Sequence, residues 1–113
     1  MNVARGFALV AGVLLAMAAS TATAAQYETL LSQSQTEQER ILRAVINSAD
    51  YPCPKVTATL FKGSDRNNAG YWAVACSDGS NWMVAVENDS VGTTSVTPCA
   101  LLKMLNVECW EKF

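Results

Sequence analysis

The 113-residue chain contains no histidine, and this absence removes much of the usual chemistry of enzymes. Histidine is the usual base that activates a serine or cysteine nucleophile, so both of those pairs are excluded. Histidine is also the commonest metal ligand of proteins. No two Asp or Glu residues show the spacing of a carboxylate pair, and no phosphate-binding glycine loop or dinucleotide motif is present. We therefore predict a protein that is not an enzyme, with no catalytic or metal site and no cofactor.

The sequence has one long apolar run, which lies in the N-terminal segment. Arg5 precedes an apolar stretch of 14 residues, and Ala22-Thr23-Ala24 has small residues at the positions that signal peptidases require. A membrane-spanning helix needs roughly 20 apolar residues. We therefore predict that residues 1–24 are a cleaved signal peptide and that the protein is exported, either to the periplasm or as a secreted protein. No membrane span is expected after cleavage.

The charge of the remaining chain is mildly negative. Without Arg5, seven basic residues stand against 10 acidic ones, which gives a net charge of −3. The basic residues are scattered and form no patch that could follow a phosphate backbone. We therefore expect no nucleic-acid binding. An unidentified protein is the kind of partner that remains possible.

The chain has four cysteines, and none belongs to a Cys-x-x-Cys pair, so neither a thioredoxin-type redox site nor a zinc ribbon fits. Oxidising compartments favour disulfides. The preferred pairing is Cys53–Cys76 with Cys99–Cys109, because the first pair lies at the open end of a predicted hairpin and the second flanks a predicted short helix. The alternative pairs Cys76 with Cys99 and Cys53 with Cys109, and it requires the chain end to return beside Pro52.

Residues 25–36 are polar and are predicted to form a partly ordered lead-in, with an early helix start as the alternative. Residues 37–113 are predicted to form a single small α+β domain. Its first element is a helix over 37–49, whose apolar residues fall on one stripe. Ser34 and Glu37 have the spacing of a capping box at its start, and Thr36 with Glu39 is a second candidate.

From residue 56 onward the apolar pattern changes to period two, which predicts an antiparallel meander of three or four strands. The predicted strands are 56–61, 71–76, 82–87 and a short edge strand at 93–96. Between the second and third strands, a three-residue loop with a left-handed Gly79 sets Val74 opposite Trp82. We prefer this register because it buries both tryptophans on one face. A short C-terminal helix over 99–105 completes the fold.

Only one face of this sheet is needed to cover the first helix. With strict alternation, the other face carries an apolar cluster of Phe61, Tyr71 and Met83. An exposed cluster of this kind is a possible protein-interaction face. The alternative is that the tail helix and Trp110 cover it.

Three stretches carry a resemblance: 71–79 (YWAVACSDG), 98–102 (PCALL) and 108–113 (ECWEKF). They look like a group of short exported bacterial disulfide-containing proteins of unassigned function, and the resemblance covers most of residues 51–113. It implies export and paired cysteines, and it implies no activity. We predict a non-catalytic binding or accessory protein that acts through its surface. One alternative is a periplasmic enzyme inhibitor, since small lysozyme inhibitors share the size, export and disulfides. The other is a structural subunit of a larger envelope complex.

Overall fold

The structure is a computed structural model that describes residues 24–113, so the predicted signal peptide lies outside it except for Ala24. Within these residues the elements follow in the order helix, helix, four strands, helix. The helices are α1 (Gln26–Leu31), α2 (Gln35–Ser48) and α3 (Cys99–Met104); the strands are β1 (Val56–Ser64), β2 (Gly70–Cys76), β3 (Asn81–Val86) and β4 (Thr94–Pro98). A helix, an antiparallel sheet and a short C-terminal helix confirm the predicted α+β fold.

Ser34 caps helix α2, as its spacing to Glu37 predicts, and the helix begins at Gln35, two residues before the predicted start. The Ser34 hydroxyl accepts a hydrogen bond from the Glu37 amide at 3.2 Å, which satisfies one of the free N–H groups of the first turn. Leu42 and Ile46 lie on the stripe that faces the sheet, and both are completely buried. On the exposed side, Arg43 Nε donates to the carbonyl oxygen of Cys53 at 3.0 Å. This bond ties the helix to the segment that leads into β1.

The four strands form one sheet in the order β1-β2-β3-β4, with every neighbouring pair antiparallel. Val74 lies opposite Trp82, and the Cys76 amide donates to the carbonyl oxygen of Ser80 at 2.9 Å. Gly79 has a φ of 87°, the left-handed conformation that the three-residue loop requires. The predicted hairpin register is therefore confirmed. It places both tryptophans of the hairpin in the core with Val74 and Val84.

Strand β1 does not alternate strictly, because its pairing with β2 shifts between Val56 and Ala58. Thr57 is the extra residue at this irregularity. One inserted residue moves the side chains that follow it to the opposite face of the sheet, here as far as a second shift between Phe61 and Gly63. Thr59 consequently faces α2, where its hydroxyl oxygen accepts a hydrogen bond from Gln35 Nε2 at 2.8 Å.

This shift corrects the predicted position of Phe61. The residue lies opposite Trp72, and the centroids of the two rings are 4.7 Å apart. Phe61 therefore packs against the core. The prediction that it shares a face with Tyr71 and Met83 is wrong, because the alternation rule was applied across the extra residue.

The polar segment before α2 contains a helix of its own, α1, which packs on the start of β2. The Tyr27 ring stacks on Phe61 with the centroids 5.6 Å apart, and Leu30 enters the core cluster. Tyr27 also lies directly above Gly70, where only a hydrogen atom fits. Helix α1 therefore forms part of the folded unit that the sheet organises.

Both preferred disulfides are present. Cys53 and Cys76 join the α2–β1 connection to the end of β2, with their Cα atoms 5.3 Å apart. Cys99 and Cys109 join the start of α3 to the tail that follows it, with their Cα atoms 5.6 Å apart. Two covalent links therefore fix the segments that enter and leave the sheet.

Candidate functional site

The sheet face opposite α2, here called the outer face, is the surface on which the sequence placed a possible interaction cluster. It carries Leu60, Tyr71, Ala73, Met83 and Ala85. Tyr71 and Met83 do share this face, and both are half-buried. Ala73 is fully buried although no helix covers it. The ring of Phe113, from the end of the chain, lies against Tyr71 and so covers part of the outer face.

That cover is the segment after α3, and Lys62 holds it in place. Lys62 is 2% exposed, and its Nζ donates to the carbonyl oxygens of Glu108 at 2.7 Å, Cys109 at 2.9 Å and Glu111 at 2.6 Å. An ammonium group has three N–H donors, and all three are used here. The Phe113 amide adds a backbone bond to the carbonyl oxygen of Lys62 at 2.9 Å. The predicted docking of the tail is therefore observed, through contacts that the sequence did not reveal.

Burial lowers the pKa of Lys62, because the charged form loses its hydration. The nearby carboxylates of Glu111 and Glu108 oppose this effect. Each N–H of the ammonium points at a backbone carbonyl of the same chain, so the group has no donor left for a ligand. Lys62 therefore anchors the tail and is not a free nucleophile.

Tyr71 is likewise engaged within the fold. Its hydroxyl donates to Asp65 Oδ2 at 2.8 Å, and its ring meets the Phe113 ring edge-on with the centroids 5.2 Å apart. The bond to Asp65 raises the pKa of Tyr71, and burial adds to the effect. In the same loop, Asp65 Oδ1 accepts from the amides of Asn67 and Ala69. The half of the predicted interaction face around Tyr71 therefore serves internal contacts.

The exposed apolar surface lies elsewhere, on α3. This helix has no buried residue. Leu101, Met104 and Leu105 follow one another at the i, i+3, i+4 spacing that defines one side of a helix, and their exposures are 49%, 79% and 67%. We call these three residues the C-terminal patch. Clusters of exposed apolar side chains are typical of interaction surfaces.

The sequence predicted this helix but not the exposure of its apolar side chains. The sequence did contain a sign of this exposure, because large apolar residues occupy more than one side of a helix of only six residues. They are Leu101, Leu102, Met104 and the C-cap residue Leu105. A short helix on a small domain can bury one side only. Leu102 takes that side and is half-buried, so the others remain exposed.

A groove of about 460 Å³ takes Ala100 and Lys103 of α3 into its lining, and none of the three residues of the C-terminal patch lines it. It lies between the β2–β3 turn and the tail, and its lining includes Trp82, Pro98, Lys103 and Trp110. Trp110 Nε1 donates to Asn81 Oδ1 at 3.2 Å, which fixes the indole at the edge of the groove. Lys103 contributes a positive charge beside these apolar walls. The groove and the patch are therefore two neighbouring candidate surfaces that involve different residues of α3.

A second groove, of about 550 Å³, lies between α2 and Lys55. Its basic side chains include Arg40 and Arg43. Arg40 is paired with Glu37, and Arg43 donates Nε to the Cys53 carbonyl. Both guanidinium groups are thus already held by the protein, which makes this groove the weaker candidate.

Within residues 24–113, no group of three or more His, Cys, Asp or Glu side chains is arranged to hold a metal ion. In the same range, no helix has both the length and the apolar character to cross a membrane. Comparisons of the chain with protein-family models, with curated proteins and with solved structures find no match.

Proposed function

We propose that this chain is an exported, non-catalytic binding or accessory protein that recognises a protein partner through the C-terminal patch and the adjoining groove. The observation that carries the proposal is a helix whose apolar side is exposed although the segment around it is fixed. The Cys99–Cys109 disulfide closes the loop, and Lys62 anchors the tail. The exposed side chains are therefore presented on a rigid support.

Rigidity matters for binding because less conformational entropy is lost when the partner arrives. A large apolar side chain contributes about 1.5–3 kcal/mol when it is transferred completely from water to a protein interior. Met104 and Leu105 are 79% and 67% exposed, so most of that gain is still available to a partner. Trp110 at the groove edge adds an aromatic side chain, a residue type enriched in binding hot spots.

Export is supported by the sequence of residues 1–24 and by the two disulfides, which persist in oxidising compartments. The predicted membership of a group of short exported bacterial proteins belongs with this proposal, because the paired cysteines are what that resemblance implies.

The experiment is affinity capture of the native exported protein, together with its size measured by light scattering. The patch variant is Met104→Ser with Leu105→Ser. The matched control is Val91→Ser, which removes an apolar side chain that is 81% exposed in the β3–β4 turn. We expect the wild type and the control to recover the same partner and the patch variant to lose it. A wild type that is recovered only as a monomer contradicts the proposal.

The identity of the captured protein separates the finer alternatives. An inhibitor is indicated if the partner is an enzyme whose activity falls on titration with the wild-type protein. The patch variant should then leave that activity unchanged. A structural subunit is indicated if the partner is a large assembly that contains this chain at fixed stoichiometry. The disulfide-closed loop favours neither alternative, since a preorganised surface is useful to both.

A further inference from the structure

At the start of α1, a neutral backbone amide donates a hydrogen bond to a carboxylate. Ala25 is the N-cap residue of α1 and is 7% exposed, whereas Ala24 before it is exposed. The Ala25 backbone nitrogen lies 2.9 Å from Glu28 Oε1. A carboxylate thus already faces this nitrogen at the point where the exposed chain becomes a buried helix start.

The sequence independently marks the same position. In Ala22-Thr23-Ala24, small residues occupy the two sites that a signal peptidase reads, which puts the cut directly before Ala25. Hydrolysis of the Ala24–Ala25 peptide bond consumes one water. It leaves a carboxylate on Ala24 and an amine on Ala25, and at neutral pH that amine takes up a proton.

We infer that processing between Ala24 and Ala25 creates an ammonium group that pairs with Glu28 and locks α1 onto the sheet. The inference rests on the proposed export, since export supplies the cut. Before cleavage, the nitrogen is a neutral amide that donates one hydrogen bond to the carboxylate. After cleavage, the same atom carries a positive charge, so an ion pair with the carboxylate is added to the hydrogen bond.

Glu28 also decides the sign of the effect. A positive charge at a helix N-terminus opposes the helix dipole and by itself destabilises the helix. Glu28 lies in the first turn of α1, where its carboxylate compensates both the dipole and the new ammonium. The free amine is therefore stabilising when Glu28 is present and destabilising when it is absent.

The lock matters because α1 covers part of the core. Its Tyr27 packs on Phe61 and fills the space above Gly70, and its Leu30 joins the core cluster. Fraying of the first turn would release these contacts together. The processed chain is thus expected to hold this corner of the core more firmly than the uncut chain does.

The test uses the chain 25–113, which contains every described helix and strand and both disulfides. It is prepared with a free α-amine and with an acetylated one, each with native Glu28 and with Glu28→Gln. At low salt we expect the free amine to raise the melting temperature by about 2–4 °C over the acetylated form when Glu28 is present. With Glu28→Gln, the free amine should give no increase or a decrease. The gain should shrink in 1 M salt.

Glu39→Gln is the matched control, because it removes a carboxylate from α2 and should leave the free-amine advantage intact. An equal effect of the free amine with Glu28 and with Gln at this position overturns the inference. So does N-terminal sequencing of the exported protein that finds a first residue other than Ala25. These outcomes are independent of partner capture, so the inference and the proposed function can fail separately.

Discussion

Tyr27 occupies the space in which a side chain of Gly70 would lie. A Cβ atom built at Gly70 would be 2.2 Å from the Cβ of Tyr27, a separation that real Cβ atoms do not adopt. Helix α1 and strand β2 therefore approach each other as closely as their backbones allow. The absence of a side chain at Gly70 therefore allows α1 to pack against the core.

We predict that Gly70→Ala destabilises the domain by about 1–3 kcal/mol, because overpacking displaces α1 and its core contacts. Chemical denaturation monitored by tryptophan fluorescence measures the change. The steric cause is checked in a Tyr27→Gly background, which removes the Cβ atom that the new methyl group would meet, so that Gly70→Ala should cost little there. Costs that simply add in the double variant would show that the clash is not the cause.

Lys62 gives a second prediction. Lys62→Met keeps the length of the side chain but leaves three carbonyl oxygens without their donor, and we expect a loss of about 2–4 kcal/mol in the free energy of unfolding. Faster hydrogen exchange and proteolysis in residues 108–113 should accompany it. Lys112→Met, at an exposed lysine of the same tail, is the control and should change neither. Equal rates of hydrogen exchange and proteolysis of residues 108–113 in the two variants would disprove the anchoring role.

The loop carboxylate of Asp65 predicts a dependence of stability on pH. Hydrogen bonds from the Ala69 amide and the Tyr71 hydroxyl lower the pKa of Asp65 below its ordinary value of 3.8. A lowered folded pKa means that this group stabilises the fold above its unfolded pKa and that the contribution is lost as the pH falls through the folded pKa. Wild type should therefore be more stable than Asp65→Asn at pH 6, and the difference should vanish in acid.

Urea unfolding across pH 2–7 measures this difference. Tyr71→Phe removes one of the hydrogen bonds, so NMR titration should find the pKa of Asp65 higher than in the wild type. A constant stability difference between wild type and Asp65→Asn at every pH would contradict the linkage.

The two disulfides predict separable effects. In the chain-entropy picture, the 23-residue separation of Cys53 and Cys76 corresponds to roughly 3–4 kcal/mol, a large share of the stability of a small domain. Full reduction should unfold the protein and abolish its near-ultraviolet circular dichroism. Replacement of Cys99 and Cys109 by alanine should instead loosen α3 and the tail and leave most of the core signal. An unchanged spectrum after reduction would be inconsistent with this account.

The parts of the fold that the sequence predicted are those governed by large energies or short-range geometry. Burial of Trp72 and Trp82 on one face determined the β2–β3 register, and the pairing of β1 with β2 brought Cys53 beside Cys76. Ser34 marked the helix start through a local hydrogen bond. In each case one arrangement was clearly better than its competitors.

The errors arose where two arrangements were nearly equal or where the contact was distant in the chain. Leu60 and Phe61 are adjacent and both large, so alternation alone could not decide which one faces the core, and the extra Thr57 reversed the choice. Lysine is seldom buried, so nothing local marked Lys62 as the anchor of a segment 46 to 49 residues further along. The exposed side of α3 was not predicted, because apolar residues on one side of a helix do not by themselves show whether another element covers them.

The anchoring of the tail by Lys62 has a consequence for the order of folding. Strand β1 can pair with β2 as soon as both have been synthesised, but the ammonium of Lys62 then has no carbonyl partners and Tyr71 lacks its contact with Phe113. Both needs are met only when residues 108–113 arrive. If the chain crosses a membrane from its N-terminus, the sheet lacks its contacts with residues 108–113 until the tail has also crossed. The step that completes the molecule is therefore the closing of the outer face.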